Sequence, residues 1–272
     1  MTDTFFVLEC SVEGCRAEFW MNDIPVIRLN EGAGFAGLPI NHLLIEGENE
    51  LEMVLFHGNL PPLSKLGSIP PEGPESVQPT QSASVSLCRY PFGAAVGGPD
   101  RVELFRQEWK PTEEMEVSVP FTVKGTCEPD AGVPRWRWQD ADPLELDRDT
   151  VVDLVEFLET MRASIEEGDP EPFLEKSAIR LEDIAEAFGN EPSEKADLIR
   201  RVIPQDVDNE GFGLDPLDPA MFSFRLCGGG SLVEAIGMDW APLIRGGPDS
   251  QGNPIAYDMV LARFDGEWAI VR

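Results

Sequence analysis

Residues 151–165, VVDLVEFLETMRASI, mark the point at which the character of the chain changes. Apolar side chains recur here at intervals of three and four, at Val151, Leu154, Val155, Leu158, Met161 and Ile165. The other face is acidic, with Asp153, Glu156, Glu159 and, just beyond, Glu166. This spacing predicts an amphipathic helix whose apolar stripe faces a core. Asp147 or Asp149 is a suitable N-cap, and Gly168 is the type of residue expected just past a helix end.

Downstream of this segment the chain keeps the order of helices followed by strands. Asp169-Pro170 begins a second helix, because proline is tolerated in a first helical turn, and residues 181–188 and 194–202 predict further helix. Strand patterns then follow at Met221–Leu226, Ser231–Gly237, Ile255–Phe264 and Glu267–Val271. The last two flank Asp265-Gly266, a strong hairpin signal. The second half is therefore predicted to be α+β with an antiparallel sheet.

Upstream of the helix, the sequence predicts short strands and no helices. The strand patterns lie at 4–12, 17–21, 25–29, 38–44, 50–56, 83–90, 101–109, 115–123 and 135–138. Residues 59–79 are rich in Pro, Gly and Ser and predict an extended loop. Strands at this spacing favour an antiparallel sandwich. Because 139–143, QDADP, has the composition of a hinge, we expect two domains, an all-β sandwich over 1–140 and an α+β domain over 141–272.

Two stretches of the second half carry a family resemblance. Residues 161–174, MRASIEEGDPEPFL, place Gly-Asp between one helix and the next, and residues 257–272, YDMVLARFDGEWAIVR, end in an aromatic-Asp-Gly-x-Trp hairpin. With the helix-then-sheet order, they make residues 147–272 resemble the nuclear transport factor two-like superfamily, which includes SnoaL-like proteins and steroid delta-isomerases. The resemblance implies a cystatin-like cone, in which helices pack in a curved antiparallel sheet.

The same resemblance leaves the activity open. Some members catalyse reactions in the cone, whereas many bind a ligand or partner, and a homodimer is implied by analogy alone. Enzymatic members line the cone with Asp, His or Tyr, but both histidines here, His42 and His57, lie in the first half. An isomerase-like site would need a base and an oxyanion donor. The candidates for these roles are therefore Asp239, Tyr257 and Asp258, and Trp240 is a further candidate for ligand binding in the cone.

The first half is loosely similar to galactose-binding-like or jelly-roll sandwiches. Residues 19–26, FWMNDIPV, and 40–51, INHLLIEGENEL, carry this similarity through an Asn-Asp turn and a Gly-x-Asn-x-Leu segment. Near the end of this half, residues 135–138 read RWRW, and strand alternation would place Trp136 and Trp138 on one face. These two rings are candidates either for an aromatic platform that binds a sugar or partner, or for part of a core.

The charge balance restricts the partners. The chain has 21 basic and 50 acidic side chains, a net charge of −29, which argues against nucleic acid and anionic membranes. A basic protein partner is compatible with that charge, and so is simple solubility. No apolar run is long enough for a membrane-spanning helix, and the N-terminus has no secretory pattern, so we expect a bacterial-type cytoplasmic protein.

The remaining motifs predict little chemistry. The five cysteines have no metal-site or disulfide spacing, so they are expected to be reduced, and no metal or other cofactor is predicted. Gly228-Gly229-Gly230 lacks the Lys-Ser/Thr of a phosphate loop. The leading hypothesis is a non-enzymatic binding protein for a protein partner or small ligand. The alternatives are an isomerase-, hydratase- or cyclase-like enzyme acting in the cone, and a carbohydrate-binding module in the sandwich.

Overall fold

The structure, a computed structural model, describes residues 4–30, 34–56, 73–237, 241–248 and 254–272. The described residues are predominantly β, with several antiparallel sheets and four helices. They group into two compact units, one of residues 1–135 with 187–189, the other of residues 136–186 with 190–272. Among the helices described, none is both long and apolar enough to cross a membrane.

The strands of the first unit are short and antiparallel. They are β1 (Thr4–Glu13), β2 (Arg16–Met21), β3 (Ile24–Leu29), β4 (Gly34–Pro39), β5 (Asn49–Phe56), β6 (Gly73–Val77), β7 (Ser82–Pro91), β8 (Val102–Trp109), β9 (Met115–Val119) and β10 (Phe121–Cys127). Two four-stranded sheets have the orders β4-β1-β7-β8 and β10-β5-β2-β3, and β6 and β9 form a separate ribbon. Sequence reasoning missed β6, which lies in the predicted extended loop; residues 59–72 of that loop lie outside the described residues.

The two large sheets face each other. Leu8 on β1 is paired with Leu87 on β7, which is paired in turn with Phe105 on β8, so all three side chains share one face. A Cβ added to Gly125 of β10, in the other sheet, would be 2.5 Å from the Phe105 ring. The face that carries Leu8 therefore packs against the second sheet, and the face with Phe5, Val7 and Glu9 points away from it.

Three strand predictions in this half need correction. The predicted strand at 38–44 is the end of β4 followed by a 3-10 helix over Asn41–Leu43. The strand at 115–123 is divided into β9 and β10, which pair with different partners. Pro120 interrupts the strand because proline has no backbone N–H to donate to a neighbouring strand. The strand at 135–138 is a 3-10 helix over Arg137–Asp140, in which the Gln139 side chain accepts a hydrogen bond from the Trp136 N–H at 2.9 Å.

The second unit opens with helices, as its apolar periodicity predicts. They are α1 (Arg148–Glu166), α2 (Glu171–Lys176), α3 (Ala178–Phe188, whose last two residues group with the first unit) and α4 (Pro192–Val207). The Asp147 carboxylate caps α1 by accepting a hydrogen bond from the Thr150 N–H at 2.8 Å. The α1 stripe is buried at Leu154, Leu158, Met161 and Ile165.

The strands of the second unit form one main sheet and one ribbon. They are β11 (Phe222–Cys227), β12 (Leu232–Gly237), β13 (Ile244–Pro248), β14 (Pro254–Tyr257), β15 (Val260–Phe264) and β16 (Glu267–Ile270). The main sheet has the order β11-β12-β15-β16, and β13 pairs with β14. The predicted strand at 255–264 is therefore split in two. Asp265 and Gly266 have φ angles of 50° and 85°, which confirms the two-residue hairpin turn.

One face of this sheet and the helices enclose a common apolar core. Val233, Leu261 and Ile270 follow one another across β12, β15 and β16 and share a face. They pack with Leu154, Leu158, Met161, Ile165, Phe173 and Ile203 from α1, α2 and α4. Apolar side chains thus occupy the space between this face and the helices.

Candidate functional site

A buried polar network lies on the outer face of the β4-β1-β7-β8 sheet. It consists of Glu9 on β1, Cys88 and Tyr90 on β7, and Arg101 just before β8. The Tyr90 hydroxyl donates to one Glu9 oxygen and accepts a hydrogen bond from the Gly97 N–H at 2.8 Å. The Arg101 Nε lies 2.8 Å from the other Glu9 oxygen and 3.1 Å from the Cys88 Sγ. We call these four side chains the outer-face network.

Strand pairing brings the network together. Phe5 of β1 is paired with Tyr90, and Glu9 is four residues further along β1 on the same face. The long Tyr90 side chain can therefore reach along the face to the Glu9 carboxylate. Glu9 is only 7% exposed, and a carboxylate so buried requires hydrogen-bonding or charged partners, which Tyr90 and Arg101 supply.

The raised pKa values of Cys88 and Tyr90 favour a structural role for the network over a role in acid–base catalysis. Burial raises the pKa of the Cys88 thiol to about 11, although Arg101 donates a hydrogen bond that lowers it. Burial and then the hydrogen bond to Glu9 raise the pKa of the Tyr90 phenol above its ordinary value. Both groups are therefore protonated near neutral pH, so the thiol is a poor nucleophile and the phenol is held as a donor to Glu9.

The network anchors the segment 91–100 beside an apolar patch. Tyr90 and Arg101 flank this segment, and the Gly97 amide bonds to the Tyr90 hydroxyl. A Cβ added to Gly37 of β4 would be 2.6 Å from the Val96 side chain and 3.7 Å from the Phe35 ring, so Val96 and Phe35 are neighbours above Gly37. The apolar patch comprises two exposed side chains, Phe35 on β4 and Val96 on the segment. Leu38 is also exposed, but on the opposite face of β4.

The candidate residues Tyr257 and Asp258 have different partners. Tyr257 packs against the helical core with its ring 6.0 Å from that of Phe173, and its hydroxyl donates to Asp206 of α4 at 2.7 Å. Burial and then this hydrogen bond raise the Tyr257 pKa well above its ordinary value. Asp258 lies 3.7 Å from the Arg272 guanidinium. The structure therefore does not bring Tyr257 and Asp258 together as a donor and base.

Trp136 and Trp138 are both buried, at 1% and 8% exposure, on either side of the exposed Arg137. Arg137 lies 2.6 Å from the buried Asp183 of α3, whose pKa is raised by burial despite this cation. Buried rings present no open face for a sugar to stack on, so these tryptophans act as core side chains and do not form a platform.

The other candidates do not form a described site. Asp239, Trp240 and His57 lie outside the described residues. His42 is part of the 3-10 helix that follows β4, with its ring 6.1 Å from that of Phe188. Among the residues described, no three His, Cys, Asp or Glu side chains are grouped to hold a metal ion.

Sequence reasoning missed several buried carboxylates, among them Glu9 and Glu234. Glu234 lies in the central strand β12, and its carboxylate is 2.5 Å from the Arg225 guanidinium of β11. The available signal was an acid inside an apolar strand pattern, at FFVLEC for Glu9 and LVEAIG for Glu234. An acid at a buried strand position implies a cationic or donor partner, but the pattern does not say which one.

A small apolar cleft in the first unit has space for about one water molecule. Its lining includes Cys15, Leu55, Phe56, Val77, Trp109 and Phe121. The Cys15 thiol donates to the Ser82 carbonyl oxygen at 3.3 Å, so it has a structural partner.

Comparison with protein-family models, with curated proteins and with solved structures finds no match. The outer-face network and its apolar patch are therefore the candidate site, on physical grounds alone.

Proposed function

We propose that this chain is a non-enzymatic binding protein whose partner is a basic protein. The observation that carries the proposal is the net charge of −29, which attracts cationic partners and accelerates their encounter. The apolar patch supports it, because apolar side chains that lie exposed next to one another are typical of binding surfaces.

The hydrogen-bond partners of the two tyrosine hydroxyls also favour binding over catalysis. The Tyr257 hydroxyl donates a hydrogen bond to Asp206, and the Tyr90 hydroxyl donates one to Glu9. An enzyme that protonates or deprotonates a substrate needs such a group aimed at the substrate instead. For the described residues, therefore, no observation favours the isomerase-like alternative. The burial of Trp136 and Trp138 likewise gives no support to a carbohydrate platform.

We further propose that the arrangement is a β-sandwich domain over 1–140 followed by a nuclear transport factor two-like cone over 141–272, in a cytoplasmic protein. The helix-then-sheet order and the antiparallel strand order β11-β12-β15-β16 are compatible with this assignment. A cone of this kind serves as a scaffold for many functions, so the fold alone does not select among them.

The proposal is tested with the immobilised chain and two matched sets of soluble peptides, one containing lysine and one with glutamate in place of lysine. At 0.15 M salt the Debye length is about 8 Å, so long-range attraction is largely screened and only short-range contacts persist. We expect retention of members of the lysine set with Kd values below about 100 μM. Equal retention of both sets, or loss of all binding at this salt concentration, would contradict a basic partner.

A further inference from the structure

Among the edge strands of the two described four-stranded sheets, β4 alone has no feature that prevents pairing with another strand. The free backbone groups of an edge strand can pair with any extended chain, and proteins block this with charges, internal prolines or bulges. In the two four-stranded sheets the edge strands are β4, β8, β3 and β10.

Three of these edges are protected. Strand β8 carries Glu103, Arg106 and Glu108, and its register with β7 shifts between Leu87 and Cys88. Strand β3 contains an internal Pro25, and its register with β2 also shifts. Strand β10 carries Lys124, which lies within 3 Å of both Glu50 and Glu52 on β5.

Strand β4, by contrast, has the sequence GFAGLP with no charged residue. It pairs with β1 without interruption from Val7–Pro39 to Val12–Gly34, and its proline is the last residue. Within the part of the chain that the structure describes, no strand is bonded to its other edge.

The apolar patch extends the surface around this edge. Phe35 is 55% exposed on one face of β4, next to Val96, and Leu38 is exposed on the opposite face because side chains alternate. A strand added to β4 would place its alternate side chains against Phe35 and Val96 on one side and against Leu38 on the other. Backbone hydrogen bonds and apolar contacts would then act together.

From these observations we propose that β4 binds an extended, basic segment of another protein by β-strand addition. Charge selects the occupant: a second copy of this chain carries the same net charge of −29 and is repelled, whereas a lysine-containing segment is attracted. The inference rests on the proposed function, because it names the site and conformation of the basic partner.

The experiment uses the full chain and a fluorescent eight-residue peptide that alternates lysine and valine, with a second version in which all backbone amide nitrogens are methylated. Phe35→Lys places a charge on the β4 edge. Val102→Lys adds the same charge to β8, at the opposite edge of the sheet, where Val102 is 46% exposed. Both positions are exposed, so both variants should fold, and circular dichroism checks this.

At 0.15 M salt we expect Phe35→Lys to weaken peptide binding at least about tenfold and Val102→Lys less than about twofold. N-methylation should weaken binding at least about tenfold, because it removes the donors that pair with β4. Equal effects of the two variants, or unchanged binding after methylation, would overturn the β4 site and leave the proposed function standing. No binding of the unmethylated peptide to the unaltered chain would remove the proposed function itself. A dimer in sedimentation that Phe35→Lys dissociates would show that the occupant is a second copy.

Discussion

The outer-face network makes a quantitative prediction for Tyr90→Phe. This change keeps the ring that stacks on Phe5 at 5.5 Å and removes only the hydroxyl. Two hydrogen bonds are lost, one to the Glu9 carboxylate and one from the Gly97 amide. A hydrogen bond to a charged group contributes about 1.5–3 kcal/mol, and Glu9 is too buried for water to replace the hydroxyl easily. We expect a loss of about 2 kcal/mol in the stability of this region.

Hydrogen exchange measured by mass spectrometry under EX2 conditions is the suitable assay, because it reports the first unit separately from the second. A loss of about 2 kcal/mol corresponds to about 30-fold faster exchange in segments of β1 and β7. Tyr257→Phe is the matched control: its hydroxyl also donates to a carboxylate, but Asp206 is only partly buried and water can replace the donor. Exchange within a factor of about 2 of the unaltered chain after Tyr90→Phe would refute the stabilising role of the network.

The pH dependence of the same variant has a definite sign. The pKa of the Tyr90 phenol is 10.0 in the unfolded chain and is raised in the folded chain. The phenol therefore holds its proton more tightly in the folded state than in the unfolded state. The resulting stability is fully present below pH 10 and is lost as the pH rises above it. Tyr90→Phe should therefore show a smaller loss of first-unit stability between pH 10 and pH 11 than the unaltered chain.

Three further predictions concern packing and reactivity. Leu158→Ala in the α1 stripe should lower the free energy of unfolding, measured by chemical denaturation, by about 2–5 kcal/mol, because the side chain is fully buried. Val152→Ala on the exposed face should change it by less than about 0.5 kcal/mol. Similar losses in the two variants would contradict the assigned helix face. Gly246→Ala should destabilise the second unit, because the alanine Cβ would be 2.2 Å from the Gly213 carbonyl oxygen. An alanine Cβ at position 213 meets nothing within 4 Å, so Gly213→Ala should be tolerated. Comparable melting temperatures for the two variants would disprove this close approach. Cys127 should react with iodoacetamide at pH 8 about 100-fold more slowly in the folded chain than in urea. The reason is that burial raises the pKa of its thiol from 9.0 to about 11, so less of the reactive thiolate is present. Equal rates would show that the thiol is not shielded.

Local patterns predicted the elements whose stability is local. The α1 stripe follows from helical spacing, and Asp147, one of the two predicted cap candidates, caps the helix. Asp265-Gly266 follows from the φ angles that a two-residue hairpin requires. Both were confirmed because neither depends on residues distant in the chain.

Elements that depend on distant partners could not be predicted in the same way. The strand expected at 38–44 ends because the Asn41 side chain accepts the Phe6 N–H at 2.7 Å, a contact 35 residues away. The Tyr90–Glu9 contact spans 81 residues and depends on the register of β1 with β7. Residues 135–138 alternate like a strand, but Gln139 bonds to the Trp136 amide and favours a helical turn instead. In each case a tertiary or side-chain contact overrides the local preference.

The uncharged edge of β4 also affects the behaviour of the concentrated protein. An open apolar edge promotes fibrous aggregation, and here the repulsion between molecules of net charge −29 opposes it. This protection disappears near the isoelectric point of about 4.2, where molecules no longer repel one another. Acidification to about pH 4.2 should therefore increase light scattering and thioflavin fluorescence, with a smaller increase for the Phe35→Lys variant.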